Sequence, residues 1–487
     1  MPPPPPLSWD DLATRRVGIW GWGIEGRMAR ARLGALGVDP VVVDDDPRAG
    51  DGANDPGASD VVGFEAGGAD ALAGCEVVVK SPGVSRWRPE VAALQARGVQ
   101  VVGGLGLWMQ EVDRSRVAAV TGSKGKSTTV SVMGHLLDGL GQRAFVGGNL
   151  GVPPYAPEAP TDVDWWVVET SSYQATDLWS APPVVAVTSL HPDHLDWHGT
   201  AERYYADKLS MCRLPGAALT VANGADPVLR ARAGQLGPRV QWVDAGAGAA
   251  ADAGAGAGAR PAWVETLGLV GEHNVTNALI ARACLFAMGV PGADDDDALA
   301  AAAAGFEGLP SRLRSVGVVE GVEFVDDSLS TNVGSTAAAL SAFASRAVAL
   351  IVGGFDRGID YQPLGDALRR RRQPTLVLTV PDAGARIGTA VRAGGLAAGV
   401  EVSDMAVEAG AVDAAFAWAR ARSGGPGLGA VVLLSPAAPS YGHFADYRER
   451  SAAFVAAMRK YAAGEQPSST NAGGEDRLTT GTTWDLD

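Results

Sequence analysis

Cysteine is scarce in this 487-residue sequence, which contains three: Cys75, Cys212 and Cys284. Thiols so few and so scattered exclude a disulfide framework and a thiolate metal site, and they favour a reducing cytoplasm. Basic residues are also outnumbered, with 40 Lys and Arg against 55 Asp and Glu. Because nucleic-acid binding needs a basic face, the net charge of −15 argues against nucleic acid as the main partner.

Long hydrophobic runs are lacking as well, so we expect no membrane span and no membrane partner. Met1 is followed by five prolines and not by the basic and apolar segments of a signal peptide, which predicts an extended tail over residues 1–14. The length predicts about three domains. We place them at 1–112, 113–308 and 309–463, with a disordered tail at 464–487 and a flexible Ala-Gly insertion at Ala245–Ala259.

An apolar strand, a glycine-rich loop and a helix follow one another from Val117 to Leu140. The loop reads Thr121-Gly122-Ser123-Lys124-Gly125-Lys126-Ser127, although Val120 stands where the full motif has its first glycine. Glycines let backbone N–H groups face phosphate oxygens, Lys126 brings charge to the outer phosphates, and the Ser127 hydroxyl suits magnesium. We predict a nucleoside triphosphate site over Gly122–Thr128 and a helix over Thr128–Leu140.

Strand-like runs alternate with helical patterns along most of the sequence, which predicts parallel α/β sheets. The runs are Val17–Trp20, Val41–Val43, Val77–Val79, Val117–Val120, Trp165–Val168, Val184–Thr188, Val322–Val325, Val348–Val352, Leu376–Thr379 and Val431–Leu434.

A second glycine-rich turn, Gly21 to Gly26, follows the first strand, and the acidic residues Asp44 to Asp46 end the next one. Taken alone, this spacing predicts a nicotinamide dinucleotide site. The glycines indicate only that a diphosphate can approach the turn. A nucleotide-linked substrate therefore fits this pattern as well as a nicotinamide dinucleotide does. The triphosphate loop later in the chain favours that second interpretation.

Three further segments contain polar residues of types found in active sites. Glu169 follows a buried-type strand and either holds magnesium opposite Ser127 or is a surface glutamate. The close spacing of His191, His194 and His198 is compatible with a zinc site. We favour a magnesium site instead, because no thiolate accompanies these histidines. Asn274 and Asn277 precede an apolar helix over Ala278–Met288, and they either bind a base or ribose or cap that helix.

In this order, a set of motifs resembles the Mur ligases, and among them the glutamate-adding branch of peptidoglycan precursor synthesis, over roughly residues 15 to 460. The motifs are Thr121–Ser127, Gly148–Gly151, Glu169–Gln174, His194, Tyr204–Lys208, Gly271–Asn277, Gly308–Arg312, Asp327–Asn332 and Leu434–Pro436. The resemblance implies an α/β fold of three domains: a Rossmann-like N-terminal domain for the UDP-sugar, a central P-loop ATPase domain with a parallel sheet, and a Rossmann-like C-terminal domain for glutamate.

The resemblance also assigns site residues. The UDP-sugar would lie against Gly23, Ile24, Glu25, Gly26, Ser81, Pro82 and Gly83, with Asn149 nearby. Catalysis and two magnesium ions would involve Lys126, Ser127, Glu169, His194 and a carbamylated Lys208. ATP would further contact Asn274, Asn277, Arg312 and Asp327. Glutamate would lie among Ser330, Thr331, Arg357, Ser435 and Tyr441.

The implied reaction is ATP-driven amide formation between UDP-N-acetylmuramoyl-L-alanine and glutamate, through an acyl phosphate. Trp20–Gly23, Val79–Gly83, His194–Gly199, Gly353–Gly358 and Ser435–Tyr441 look like the variant that adds L-glutamate, whose product a separate epimerase inverts. Leu329 stands where the D-glutamate enzymes commonly have a lysine. The alternatives are the D-glutamate-adding ligase, a folylpolyglutamate-type ligase, a nicotinamide oxidoreductase and a non-catalytic nucleotide-binding protein.

Overall fold

Valine-rich runs and the helical segments between them fold into three sheets within the residues that the structure describes. The structure is a computed structural model, and it describes residues 6–46, 60–149, 151–244, 260–393, 395–423 and 429–465. The predicted insertion at 245–259 lies outside these residues, as do residues 1–5 and the tail from 466 onward. The chain divides into two units, Met1–Glu307 with two of the sheets and Gly308–Asp487 with the third. The predicted α/β class with three sheet-rich regions is confirmed.

The first sheet is parallel throughout, with the strand order β3-β2-β1-β4-β5. Its strands are β1 (Val17–Trp20), β2 (Val41–Asp44), β3 (Val61–Gly63), β4 (Val77–Lys80) and β5 (Gln100–Gly103), and its helices are α1 (Ile24–Ala35), α2 (Gly68–Ala73), α3 (Pro89–Ala96) and α4 (Gly104–Glu111). The strand order reverses between β1 and β4. A crevice therefore forms at their carboxyl ends, between the Gly21–Gly26 turn and the Ser81–Gly83 loop.

The second sheet is also parallel, with the order β11-β10-β9-β6-β8-β7. Its strands are β6 (Val117–Thr121), β7 (Ala144–Gly148), β8 (Trp165–Glu169), β9 (Val184–Val187), β10 (Leu219–Asn223) and β11 (Val240–Val243). Its helices are α5 (Lys126–Gly139), α6 (Ser172–Ala175), α7 (Leu195–His198), α8 (Ala201–Leu209), α9 (Pro227–Ala231), α10 (Ala262–Thr266), α11 (Glu272–Met288) and α12 (Asp296–Ala302). Because β6, β8 and β9 are neighbours, the phosphate loop, Glu169 and the segment leading to His194 leave the sheet side by side.

The third sheet belongs to the Gly308–Asp487 unit and has the order β12-β13-β17-β14-β15-β16. Its strands are β12 (Arg314–Val319), β13 (Val322–Asp326), β14 (Val348–Gly353), β15 (Thr375–Val380), β16 (Val400–Asp404) and β17 (Val431–Ala437), and its helices are α13 (Val333–Ala342), α14 (Gln362–Arg369), α15 (Gly384–Arg392), α16 (Glu408–Arg420) and α17 (Tyr447–Ala462). The β12–β13 pair is antiparallel and is an exception to the predicted parallel sheets, because a short turn joins these two strands.

Apolar clusters hold the first two sheets together in the Met1–Glu307 unit. One buried cluster contains Ile19 and Val79 of the first sheet with Val168 and Val185 of the second. Burial of this apolar surface removes it from water and keeps the ends of the two sheets in one arrangement. No helix among the described residues is long and apolar enough to cross a membrane.

Two helix starts differ from the prediction. Helix α5 begins at Lys126 and not at Thr128, because Gly125 takes a left-handed conformation (φ +88°) and precedes the first helical residue. Helix α11 begins at Glu272 and not at Ala278, so Asn274 and Asn277 lie inside it. Its N-cap residue is Gly271, and the interpretation of the two asparagines as caps is therefore wrong.

Candidate active site

The phosphate loop between β6 and α5 is built so that only glycine fits at two of its positions. Gly122 has a φ of +144°, and a Cβ on it would lie 2.1 Å from Thr188 Oγ1. A Cβ on Gly125 would lie 2.5 Å from Asn277 Oδ1. The loop is thereby held close to β9 and α11, and the N-terminus of α5 follows it directly, which is the arrangement that binds phosphate.

Two lysines converge on one carbonyl oxygen of this loop. Lys126 Nζ donates to Gly122 O at 2.9 Å, and Lys208 Nζ, from α8, donates to the same oxygen at 3.0 Å. Lys208 is only 2% exposed. Burial lowers the pKa of Lys208 well below its ordinary value, and the charge of Lys126 lowers it further, whereas Asp193 and Glu169 oppose the shift. Lys208 therefore favours the neutral amine.

Glu169 ends β8 beside these lysines and is 2% exposed. Its Oε1 accepts a hydrogen bond from Asn149 Nδ2 at 2.7 Å. Its buried Oε2 accepts none from any residue that the structure describes. A buried carboxylate oxygen without a partner is costly, and a bound cation removes that cost. Carboxylate oxygens are the donors that magnesium prefers, and Ser127 lies buried in the first turn of α5.

His194 lies on the segment that follows β9, in a strained backbone conformation with a φ of +51°. Its imidazole is 51% exposed and lies edge-on to Tyr173, with ring centroids 5.1 Å apart. Burial lowers the pKa of His194; Asp193 opposes this shift, while Lys208, Lys124 and Lys126 add to it. A neutral imidazole can act as a metal ligand.

The other two histidines have different surroundings. Ser123 Oγ donates to the backbone oxygen of His191 at 2.8 Å. His198 is buried and contacts Asp207 Oδ2 at 2.7 Å and Ser172 Oγ at 2.9 Å. This Ser-His-Asp group is closed to any substrate, because Ser172 is buried. Across the described ranges, no three His, Cys, Asp or Glu side chains form a metal site.

A pocket in the same unit brings together most of the residues predicted to bind the UDP-sugar. It is lined by Gly21, Gly23, Ile24, Glu25, Asp44, Asp45, Ser81, Pro82, Gly83, Val84, Gly148, Asn149 and Gly151. Gly26 does not line it. A Cβ on Gly26 would lie 1.9 Å from Gly21 O, so this glycine allows α1 to approach the turn.

Two side chains connect this pocket to the end of β8. Asn149 lines the pocket and donates to Glu169. Glu25 accepts from Gln174 Nε2 at 2.6 Å and from the Tyr155 hydroxyl at 2.9 Å. Burial raises the pKa of Glu25 to about 6. The pocket therefore lies next to the Glu169–Gln174 segment, a long-range contact that sequence spacing does not indicate.

The predicted acidic residues of the pocket already have protein partners. Asp44 Oδ2 accepts the Trp22 backbone N–H at 2.6 Å and closes the glycine turn. Asp45 forms an ion pair with Arg88 and accepts from Trp20 Nε1 at 3.3 Å. Asp44 thus has a structural role in shaping the turn.

The amides of Asn274 and Asn277, which the sequence predicts to bind the nucleotide, lie beside the phosphate loop. Asn277 Nδ2 donates to Asn274 Oδ1 at 3.2 Å, and Asn274 Nδ2 donates to Val270 O at 2.9 Å. Both residues are buried, and Asn277 lies against Gly125. Their position on α11 therefore places both amides next to the loop for which the sequence predicts a triphosphate.

In the Gly308–Asp487 unit, Asp327 is the centre of a buried network at the carboxyl end of β13. It accepts from Leu313 N at 3.0 Å, Ser330 Oγ at 2.5 Å and Ser435 Oγ at 2.7 Å. Burial is the main reason that the pKa of Asp327 rises to about 7. Ser330 and Ser435 are thus brought together, and the hydroxyls of both are bonded to Asp327.

The remaining predicted residues of this unit lie farther out on its loops. Arg357 Nη2 donates to Thr331 O at 2.5 Å. Tyr441 is 60% exposed, and its ring faces Phe355 with centroids 6.4 Å apart. Arg312 is half-buried and stands between two residues with positive φ, Ser311 (+60°) and Leu313 (+50°). Such strained non-glycine residues are concentrated in functional loops.

The fold and these sites define a nucleotide-dependent enzyme in which a phosphate loop stands beside a second nucleotide-type pocket. Residues 120–285 match the Mur ligase middle domain. The chain is 43% identical, over 468 residues, to the UDP-N-acetylmuramoyl-L-alanine--L-glutamate ligase of a Micromonospora species, covering 93% of this chain and 98% of the relative. It is 42% identical to the ligase of the same name from Salinispora tropica, covering 93% and 99%. The chain therefore belongs to the Mur ligase family of ATP-dependent, ADP-forming amide ligases.

The fold is similar to the crystal structure of a UDP-N-acetylmuramate-alanine ligase from Thermotoga maritima, with a TM-score of 0.51. The identity is 16%, and the match covers 93% of this chain and 100% of that structure. At this identity the likeness supports the fold alone. The resemblance that the sequence motifs indicated is confirmed by the sequence relatives.

We expect Asp327→Asn to flatten the pH dependence of stability of the Gly308–Asp487 unit. A carboxyl group whose pKa is raised from 3.8 to about 7 binds its proton more tightly in the folded chain. Its stabilising contribution is complete below about pH 4 and is lost as the pH rises towards 7, with a slope of up to about 1.4 kcal/mol per pH unit. Urea titration of the full chain with pulse proteolysis at several pH values measures the difference. Parallel curves for the wild type and the variant would contradict the assignment.

Proposed function

We propose that this protein joins L-glutamate to UDP-N-acetylmuramoyl-L-alanine at the expense of ATP. The observation that carries the proposal is Asn149, which lines the nucleotide-type pocket and contacts Glu169 beside the phosphate loop. A substrate held in that pocket lies next to the site where ATP is expected. The names of the relatives at 43% and 42% identity support the same substrates. The D-glutamate-adding and folylpolyglutamate-type alternatives draw no support from them.

The proposed reaction starts at the alanine carboxylate of the nucleotide substrate. One carboxylate oxygen attacks the γ-phosphorus of ATP, the bond to the β–γ bridging oxygen breaks, and ADP leaves. The acyl phosphate so formed has a good leaving group, which a free carboxylate lacks. The glutamate amine then attacks the acyl carbon, inorganic phosphate leaves with the oxygen that came from the carboxylate, and the amine loses a proton.

The residues of the phosphate loop would bind and orient the triphosphate. Lys126 would bring its charge to the transferring phosphate, and the backbone N–H groups of Gly122–Thr128 would face the phosphate oxygens. Ser127, Glu169, His194 and Lys208 would hold two magnesium ions, with Glu169 Oε2 as the buried oxygen that has no partner among the described residues. When bound, these ions neutralise the charge that develops between phosphate and carboxylate.

Carbamylation of Lys208 follows from its surroundings in this proposal. The neutral amine, which burial and Lys126 favour, is the form that reacts with carbon dioxide. A bond forms between Nζ and the carbon of carbon dioxide, and one proton leaves. The product offers two anionic oxygens to a metal ion, whereas an ammonium group would repel it. Lys126, which opposes a protonated Lys208, would instead attract the negatively charged carbamate.

Each ligand would be bound by one region: the UDP-sugar by residues 1–112, ATP by 113–308 and glutamate by 309–463. The cytoplasm suits a reaction between ATP and a nucleotide-linked precursor. A glutamate epimerase that acts on the product would be a functional partner. The tail at 464–487 has no part in this proposal.

We expect ATP turnover to require both UDP-N-acetylmuramoyl-L-alanine and glutamate. Lys126→Ala and Glu169→Ala should each lower ligation by about a thousandfold or more, because each removes charge stabilisation of the transferring phosphate. Glu158→Ala, at an exposed glutamate, is the matched control and should retain activity. Coupled ADP release measures all three variants. ATP turnover without either co-substrate, or wild-type ligation in the first two variants, would reject the function.

For Lys208, we expect Lys208→Ala to lose most of its ligation activity and Lys208→Glu to recover part of it. Glutamate restores an anionic group near the position where the carbamate is expected, although with a shorter reach. The ligation rate at saturating magnesium is the measurement. Full activity in Lys208→Ala would remove the carbamate from the mechanism.

We expect ligation to prefer L-glutamate over D-glutamate by about a hundredfold, because a carboxylate left without a partner in a closed site costs a few kcal/mol. The planar Arg357 guanidinium offers a bidentate donor set for one carboxylate, while Leu329 offers none. Arg357→Ala should weaken the preference, whereas Arg386→Ala, a neighbouring exposed arginine paired with Asp356, should not. The measurement is the ligation rate with each glutamate enantiomer at equal concentration. A faster reaction with D-glutamate would overturn the predicted preference for L-glutamate and leave the ligase assignment standing.

A further inference from the structure

A buried arginine contacts three of the strand-end loops in the Gly308–Asp487 unit. Arg450 lies in the first turn of α17 and is 1% exposed. Its Nη2 donates to Ser328 O at 2.8 Å, after β13, and to Ala438 O at 3.3 Å, after β17. A Cβ on Gly354, after β14, would lie 3.2 Å from Arg450 Nη1. One guanidinium group therefore forms hydrogen bonds to the loops that follow β13 and β17 and lies beside the loop that follows β14.

The charge of this guanidinium is incompletely balanced. Among the described residues, no carboxylate pairs with Arg450, and its buried Nε donates no hydrogen bond. Asp326 and Glu408 are close enough to stabilise the charge, but Asp326 already accepts from Ser328 Oγ at 2.5 Å and Ser451 Oγ at 2.6 Å. A buried cation without an ion pair is costly to keep. Its place beneath loops suited to an anionic ligand explains why the cost is tolerated.

The same loops contain the residues expected to bind glutamate. Thr331 and Arg357 follow β13 and β14, and Tyr441 follows β17. Ala437, at the end of β17, has a positive φ of +59°, which a non-glycine residue keeps only where surrounding contacts hold it. Arg450 supplies such a contact one residue later, at Ala438 O.

We propose that Arg450 is a positioning residue for the dicarboxylate substrate: it fixes the three loops in one arrangement and supplies their buried positive charge. The proposal rests on the proposed function, in which glutamate is the incoming amino acid. Because its side chain is closed to solvent, Arg450 acts through the loops and not by touching glutamate. Loss of this side chain should weaken glutamate binding and leave the sites in the Met1–Glu307 unit unchanged.

A matched control lies at the opposite end of the strands of the same sheet. Arg371 is also buried, and it also links backbone carbonyls: Nη1 donates to Leu340 O at 3.2 Å, and Nη2 donates to Phe343 O at 3.1 Å and Arg346 O at 2.5 Å. The three carbonyls precede β14 and Arg371 itself precedes β15, so these contacts lie at the amino ends of the strands. Burial lowers the pKa of Arg371 to about 10. Its removal should cost stability without reaching the strand ends where glutamate is expected.

The experiment compares Arg450→Met, Arg450→Lys and Arg371→Met in the full chain. We expect Arg450→Met to raise KM for L-glutamate by about tenfold or more, with KM for the nucleotide substrate within about twofold. Arg450→Lys keeps the charge without the planar fork and should fall between wild type and Arg450→Met. Arg371→Met should lower the melting temperature and leave KM for glutamate within about twofold. Peptide-resolved hydrogen exchange should be faster in residues 327–331, 353–358 and 435–441 of Arg450→Met than of Arg371→Met.

An unchanged KM for glutamate in Arg450→Met would overturn the proposal. An equal rise in Arg371→Met would overturn it too, since the effect would then be one of stability alone. If Arg450→Met does not fold, Arg450→Lys decides by the same two criteria. A wild-type protein that fails to use glutamate rejects the proposed function instead, and the hydrogen exchange of the three loops still tests whether Arg450 fixes them.

Discussion

The candidate active site depends on two lysines that meet at one backbone oxygen of the phosphate loop. Lys126 and Lys208 both donate to Gly122 O, and Glu169 lies nearby with one buried oxygen that accepts nothing from the described residues. A protein interior tolerates such groups only when ligands or covalent changes complete them. Triphosphate, divalent cations and a carbamate on Lys208 would each supply what is missing. The second sheet makes this arrangement possible. Its adjacent parallel strands β6, β8 and β9 place the loop, Glu169 and the His194 segment at the same carboxyl end of the sheet.

The two sites of the Met1–Glu307 unit share side chains and are not merely neighbours. Asn149 and Glu25 both line the pocket at the Gly21–Gly26 turn, and both form hydrogen bonds with the Glu169–Gln174 segment that follows β8. The buried Lys80–Asp177 ion pair, at 2.6 Å, joins the same two regions through the end of β4. A molecule bound in the pocket would therefore contact side chains that also bond to the Glu169–Gln174 segment. These shared contacts fit the proposed requirement of ATP turnover for the second substrate.

The sequence predicts well where the backbone chemistry is local. The phosphate loop, the three strand ends and the class of fold follow from glycine placement and valine runs, and all ten predicted strands are present, with small shifts at their ends. The seven strands that were not predicted are β3, β5, β7, β10, β11, β12 and β16, and all except β10 lie at sheet edges. Edge strands such as β11 and β16 are partly exposed, so their apolar pattern is interrupted. Contacts between distant residues, such as Glu25 with Tyr155 or Arg450 with Ser328, leave no local signal and need the folded chain.

The central claim is that ATP activates the alanine carboxylate by phosphorylating it. The most direct test uses UDP-N-acetylmuramoyl-L-alanine with oxygen-18 in that carboxylate, together with ATP and L-glutamate, followed by mass analysis of the inorganic phosphate. The account predicts that each phosphate released carries one oxygen from the carboxylate, because that oxygen bridges carbon and phosphorus in the acyl phosphate. Product formation with unlabelled phosphate would contradict it.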